Sequence, residues 1–189
     1  AVAGASSVDL LVATTREAGA AGEMFSGERG VGLAFADIAV SIPPDGTRPV
    51  GEVQWPSSTR PDPNREFATL RADRIELDEG LRRLHRRAAS TPKNGILIFV
   101  HGYNTRFEEA VYRFAQIVHD SGAQVTPVLF TWPSRGKLLS YAYDRESANY
   151  SRDGLESALQ ALSKDPKIGE ITILAHSMGN WVTIEALRQ

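Results

Sequence analysis

The stretch EITILAHSMGNWV, Glu170 to Val182, decides how this chain is read. Its first half is a short apolar run rich in β-branched residues, the pattern of a buried strand. Ser177 follows at once, with Ala175 and Gly179 two positions to either side, and a helical pattern begins at the serine. A serine on so sharp a strand-to-helix turn is held in a strained conformation that lifts its hydroxyl clear of the sheet. Bulky residues at the flanking positions would strike the strand or the helix, so small ones are required. Ala175 stands where a glycine is usual, a departure of one methyl. Because Ser177 opens a helix, free N–H groups and the positive dipole end face it. The N–H of Met178 is then an expected donor to a developing oxyanion, while His176 projects from the other side of the turn.

A second strand end carries matching chemistry. GILIFV, Gly95 to Val100, is a continuous apolar run expected to be a strand buried on both faces, and it runs into VHGYN, Val100 to Asn104. Gly102 lets the backbone fold tightly away from the sheet and expose the N–H of Tyr103, with His101 bracing the turn by hydrogen bonds. Tyr103 and Met178 would form the pair of preorganised donors that a tetrahedral intermediate needs, each worth about 10²–10³ in rate. Neither motif is specific alone. Two of them, each set between a buried strand and a helix, are.

Working outward, NTRFEEAVYRFAQIVHDSG places Phe107, Val111, Phe114 and Val118 on one helical face. Thr105 and Glu108 have capping-box spacing, which starts that helix at Thr105, and Gly122 is a natural stop. VTPVLFTW reads as another buried strand. SRDGLESALQALSKDP carries Leu155, Leu159 and Leu162 at helical spacing and ends at Asp165-Pro166. Alternating strands and helices imply right-handed crossovers and a mostly parallel sheet with helices on both faces. From Val8 to Leu77 the text is strand-like and broken by turns, which predicts antiparallel strands added to one edge; DEGLRRLHRRAAS is a helix. The expected organisation is one α/β domain, with a strand-rich part and basic helix over 1–90 and the motif-bearing strand–helix units over 95–189.

From Gly95 onward the chain resembles an α/β-hydrolase, with HGYN as the oxyanion loop and AHSMGN as the nucleophile elbow. More narrowly it is similar to a bacterial branch catalogued as a domain of unknown function. VATTRE, FSGERG and VSIPP match early in the chain, and FTWPSRG and YAYDRESA match between the two motifs. The resemblance extends over nearly the whole sequence. It implies the sheet topology and a serine-hydrolase activity, and it leaves the substrate open.

Composition narrows the partners. The 189 residues carry a net charge of −2, which gives no electrostatic footprint for nucleic acid. With no cysteine, thiolate catalysis, thiolate zinc sites and disulfides are excluded. Four scattered histidines lack metal-ligand spacing, so neither a metal nor a cofactor is expected. No apolar run approaches the roughly 18 residues that span a bilayer. AVAGASS at the start fits a remnant of a removed export signal as well as an ordinary beginning, so the compartment stays open between cytoplasmic and exported.

Other features have plain readings. The arginines at 82, 83, 86 and 87 are expected on a solvated helix face. GERGVG, Gly27 to Gly32, is expected to be a turn. SRGK, Ser134 to Lys137, has the Ser-x-x-Lys spacing of penicillin-recognising enzymes but lies in an expected loop, without a Lys-Thr-Gly partner. Trp132 and Tyr141 are candidates for a substrate pocket, although core packing is the favoured reading of Tyr141, Tyr143 and Tyr150. Asp144 is either a pocket carboxylate or, by preference, a helix cap.

Ser177 needs a base and the base an orienting acid. In this superfamily the order is serine, acid, histidine. After Ser177 the sequence holds no histidine, and Glu185 lies about 12 Å along the helix at 1.5 Å per residue. His85, His101, His119 and His176 are poor substitutes. The expectation is therefore a hydrolase domain whose further strands, helices, acid and histidine come from a longer protein or another chain. Its substrate would be a small-molecule ester or acyl compound. An acyltransferase, or a non-catalytic scaffold that kept the fold, is the alternative.

Overall fold

The computed structural model describes residues 3–176, 183–184 and 186–188, with the Leu138 side chain left aside. The elements in chain order are β1 (Ser6–Ala18), β2 (Phe25–Ile42), β3 (Ala68–Ile75), α1 (Leu77–Ala89), β4 (Ile96–Val100), α2 (Phe107–Ser121), β5 (Thr126–Thr131), α3 (Tyr141–Ser163) and β6 (Ile171–Ala175). They build one sheet in the order β3-β2-β1-β5-β4-β6. β1 pairs antiparallel with β2 and β2 with β3, while β1–β5, β5–β4 and β4–β6 are parallel. Only β2 therefore runs against the other five. The expected α/β sheet is present, and the N-terminal segment joins it through β1, which is parallel to β5.

The alternation of side chains along each strand divides the core into two layers. On one face Leu10, Val12, Ile38, Phe99 and Leu129 pack on α2 through Phe107, Val111 and Phe114. On the other, Leu11, Ala13, Ile98, Val100 and Phe130 meet α1 and α3 through Leu84, Ala88, Leu155 and Leu162. Burying side chains of this size is worth about 1.5–3 kcal/mol each. β4 and β5 lie inside the sheet, β4 apolar throughout and β5 apolar between its two terminal threonines, whereas β6 is at the edge and leaves Leu174 exposed. Gly122 ends α2 in the left-handed conformation (φ 64°), as its position predicts.

Several expectations are corrected. The basic helix is not simply solvated: Arg83 and Arg87 reach the fully buried carboxylate of Asp37 on β2, at 2.7 and 2.6 Å, and Arg71 on β3 joins them at 3.3 Å. Burial pushes the Asp37 carboxyl up, but hydrogen bonds from Arg87, Arg83 and Arg71 outweigh it and hold the group below its usual range. The anionic partner of these arginines is thus within the chain.

GERGVG is part of β2 rather than a turn. Its glycines serve close approach: a Cβ on Gly30 would stand 2.8 Å from the Arg16 carbonyl oxygen, where β1 slips register. The helix after HGYN begins at Phe107 with Arg106 as its N-cap, and no capping box forms. Helix α3 starts ten residues before the leucine stripe suggests, at Tyr141.

Candidate active site

The register of the parallel strands brings the two motifs together. Val100 on β4 pairs with Phe130 on β5 and with Ala175 on β6, so three carboxyl ends finish at one level. The N–H of His176 donates to the Val100 carbonyl at 3.2 Å, which ties the start of the elbow to the start of HGYN. In an open α/β sheet this is where ligands gather. Ser177, Met178 and Gly179, expected from the sequence as nucleophile, second donor and small flank, lie outside the described residues. Ala175 is half-buried at the end of β6, and His176 beyond it is exposed. A cleft of about 410 Å³ opens beside these strand ends, bordered by His101, Gly102, Thr105, Trp55, Arg113 and His176.

Every turn of the HGYN loop is held by a named partner. The His101 carbonyl accepts the indole N–H of Trp132 at 2.9 Å. His101 Nδ1 donates to the Gly102 carbonyl at 2.7 Å, and Nε2 accepts the Trp132 backbone N–H at 3.1 Å. The ring stacks on the Trp132 indole, centroids 4.8 Å apart. The Thr105 hydroxyl donates to the Tyr103 carbonyl at 3.1 Å, and the Thr105 N–H donates to Ser134 Oγ at 2.9 Å. That is why no capping box forms: the hydroxyl faces back into the loop. Asn104 sits at φ 55°, a left-handed conformation that asparagine tolerates better than most residues, and its N–H donates to Asp144 Oδ2 at 2.9 Å. Among the described residues the N–H of Tyr103 has no acceptor.

Beneath the loop lies a buried polar frame. Arg16, at the slip in β1, is 2% exposed. Its Nε donates to Thr131 Oγ1 at 2.9 Å, Nη1 to the Ser26 and Ser134 carbonyls at 3.2 and 3.0 Å, and Nη2 to the Thr105 carbonyl at 2.7 Å. Burial draws its pKa down to about 10, with Glu108 and Asp144 pulling the other way, so the guanidinium stays charged at neutral pH. Asp144, in the first turn of α3, is fully buried. It accepts the Asn104 N–H, the Arg135 N–H at 3.0 Å and the Ser134 hydroxyl. Ser134 links the two charges, its carbonyl to Arg16 and its hydroxyl to Asp144.

This frame revises several single-residue readings. Asp144 is neither a pocket carboxylate nor a helix cap, because Ser140 occupies the N-cap of α3 and the carboxylate is used up by loop groups. Trp132 is fully buried, and its indole N–H braces the His101 carbonyl. Ser134 is likewise buried and engaged, which removes the Ser-x-x-Lys reading. The tyrosines do not pack in the core: Tyr141 is 52% exposed and edge-on to Tyr103, while Tyr143 and Tyr150 donate to the Gly27 and Gly30 carbonyls of β2. Arg16 is the residue that sequence reasoning missed as part of the site. VATTRE, FSGERG, FTWPSRG and YAYDRESA all contribute to this frame, and that was the available signal.

The remaining histidines are engaged elsewhere. His85 pairs with Asp165, and His119 at the end of α2 pairs with Asp45. Among the described residues no group of histidines and carboxylates is arranged to hold a metal, and no helix is long and apolar enough to cross a membrane.

Burial, with the nearby Arg16 charge, lowers the His101 pKa from 6.5 to about 3, so the ring is neutral in the folded protein. The unfolded chain takes up a proton below about pH 6.5 that the native state refuses. Stability from this source is complete above pH 6.5 and falls by about 1.4 kcal/mol per pH unit as acid is added, down to about pH 3. Denaturant titrations at pH 4, 5 and 6 should show a shallower pH slope for His101→Gln than for the parent. Equal slopes would mean that His101 is not kept neutral by its site.

A family model matches residues 78–189, and its description is "Alpha/beta hydrolase of unknown function (DUF900)". The chain belongs to that α/β-hydrolase family. Among the curated proteins, an uncharacterized protein of Nostoc sp. (strain PCC 7120) is 30% identical over an alignment that covers 50% of this chain and 31% of the relative. The chain thus spans under a third of that relative's length. No solved structure matches it. Within this hydrolase family the match begins at Asp78, so Arg16 and the FSGERG segment of the frame precede the matched residues.

Proposed function

We propose that this α/β-hydrolase domain serves a serine hydrolase acting on carboxylic esters through an acyl-enzyme at Ser177. The observation that carries the reading is the juxtaposition of the β4 and β6 carboxyl ends, beside which the Tyr103 N–H has no acceptor among the described residues. Ser177 follows directly on His176, within one residue of the point where β6 is tied to Val100.

In the proposed reaction the Ser177 oxygen adds to the acyl carbon and its proton passes to a histidine base. The carbonyl oxygen, now negative, is received by the N–H groups of Tyr103 and Met178. Collapse of the intermediate breaks the ester bond, and the leaving alkoxide takes the proton from the base. Water then repeats the sequence on the acyl-enzyme. His85 and His119 are paired with carboxylates away from the site, and His101 is neutral, buried and fully bonded. We therefore assign the base and its orienting acid to sequence outside these 189 residues, in the serine–acid–histidine order.

The test is covalent labelling. A fluorophosphonate probe should modify the full-length protein at Ser177, located by peptide mass spectrometry, and Ser177→Ala should remove the label. A folded full-length protein that takes no label would replace the enzyme reading with a non-catalytic scaffold.

A further inference from the structure

We propose that Asp144 is a positioning residue that sets the oxyanion loop, acting with Ser134 as a clamp between α3 and HGYN; the inference rests on the serine-hydrolase reading above. The peptide joining Tyr103 to Asn104 is the element at issue. The Tyr103 N–H lies on the preceding peptide, whose Gly102 carbonyl accepts His101 Nδ1–H at 2.7 Å, so a flip at the Tyr103–Asn104 peptide acts on that N–H by shifting the Tyr103 backbone between the two anchors. Asn104 occupies a left-handed conformation that a non-glycine residue leaves readily unless its surroundings hold it. What holds it is the carboxylate of Asp144, which takes the Asn104 N–H at 2.9 Å. The next N–H along, that of Thr105, goes to Ser134 Oγ at 2.9 Å, and the hydroxyl hydrogen of Ser134 goes on to the same carboxylate. Two successive loop amides are thus tied to one anionic group, that of Asn104 directly and that of Thr105 through Ser134.

A carboxylate suits this task because it only accepts. It takes three donors here, the N–H groups of Asn104 and Arg135 and the Ser134 hydroxyl. An asparagine in its place presents an NH₂ to one of those donors and must lose at least one bond. Asp144 and Ser134 are both fully buried, so neither bond is exchanged for water in the folded protein. The side chain makes no contact with the cleft beside the strand ends, so its effect on substrate is indirect.

The experiment compares wild type and Asp144→Asn in the full-length protein, with a chromogenic short-chain ester as substrate and a boronic acid as probe of the tetrahedral state. The expected result is a kcat lowered about 10- to 100-fold with KM within about threefold, and a boronate Ki raised in step with the loss in kcat. Near-ultraviolet circular dichroism establishes that the variant is folded. Ser134→Ala, which keeps the carboxylate but breaks the link to Thr105, should reproduce the same split at about tenfold, and it carries the test alone if Asp144→Asn does not fold. A folded Asp144→Asn chain with kcat and boronate Ki within twofold of wild type overturns the inference, as does a change confined to KM. Failure of the hydrolase reading looks different: the wild-type protein itself then shows neither ester turnover nor boronate binding.

Discussion

Ser177→Ala in the full-length protein is expected to lower kcat for ester hydrolysis by 10⁴-fold or more, on the order of the losses seen when a nucleophile is removed from a triad. Without the hydroxyl no acyl-enzyme forms, and the route through two lower barriers closes. What survives is binding and the donors at the strand ends, which in triad variants leave about 10³–10⁴ over the uncatalysed rate. KM should move little, because the oxygen that is lost bonds to substrate only once the reaction begins. Steady-state kinetics with a chromogenic ester decide the matter. Turnover within tenfold of the parent would mean that the chemistry is done by another group.

The second large effect falls on stability. Arg16→Met should cost about 4–6 kcal/mol, a large share of the 5–15 kcal/mol that holds a typical domain together. The guanidinium spans four acceptors: Thr131 Oγ1 and the carbonyls of Ser26, Ser134 and Thr105. Methionine fills part of the volume but donates nothing, and each buried acceptor left without a partner costs about 1–3 kcal/mol. The sum is moderated because the Ser26 and Thr105 bonds are only partly buried. Arg16→Lys should fall between, since one ammonium cannot reproduce the fork that reaches both sides of the loop. Urea unfolding would show the loss as a lower midpoint with an unchanged slope. A shift worth less than about 1 kcal/mol would show that the frame is not a stabilising unit.

The two effects concern different levels of legibility. β4, β5 and the face of α2 could be read because their burial is mostly apolar: Ile98, Phe99, Phe130 and Phe114 announce themselves by type and spacing. The meeting of the β4 and β6 carboxyl ends, which sets Ala175 and His176 beside HGYN, was equally readable, since both motifs follow a buried-strand pattern in the sequence. The first turns of α3 were not. Their buried face is Asp144, Ser147, Ala148 and Ser151, small or polar residues that leave no hydrophobic stripe. Those side chains are inside because partners distant in sequence satisfy them: Ser151 meets Thr15, and Ser147 takes Arg29. Arg16 defeated reading for the same reason. A charged residue in a strand signals exposure unless its four acceptors are already known. The glycines of GERGVG were misread as a turn because close packing against a bulged strand leaves no periodic trace.

The position of β1 in the middle of the sheet bears on how the protein is made. Its partner on one side, β2, emerges from the ribosome almost at once, but on the other side Leu11 waits for Val128, which is synthesised over a hundred residues later. At the usual 5–20 residues per second that delay is roughly 6–23 s. During it the nascent hairpin presents an unsatisfied strand edge flanked by apolar side chains, and the guanidinium of Arg16 has yet to meet Thr105, Thr131 and Ser134. The pairing of β1 with β5 is therefore completed late in synthesis, and until then β1 keeps an open edge of the kind that pairs with other chains.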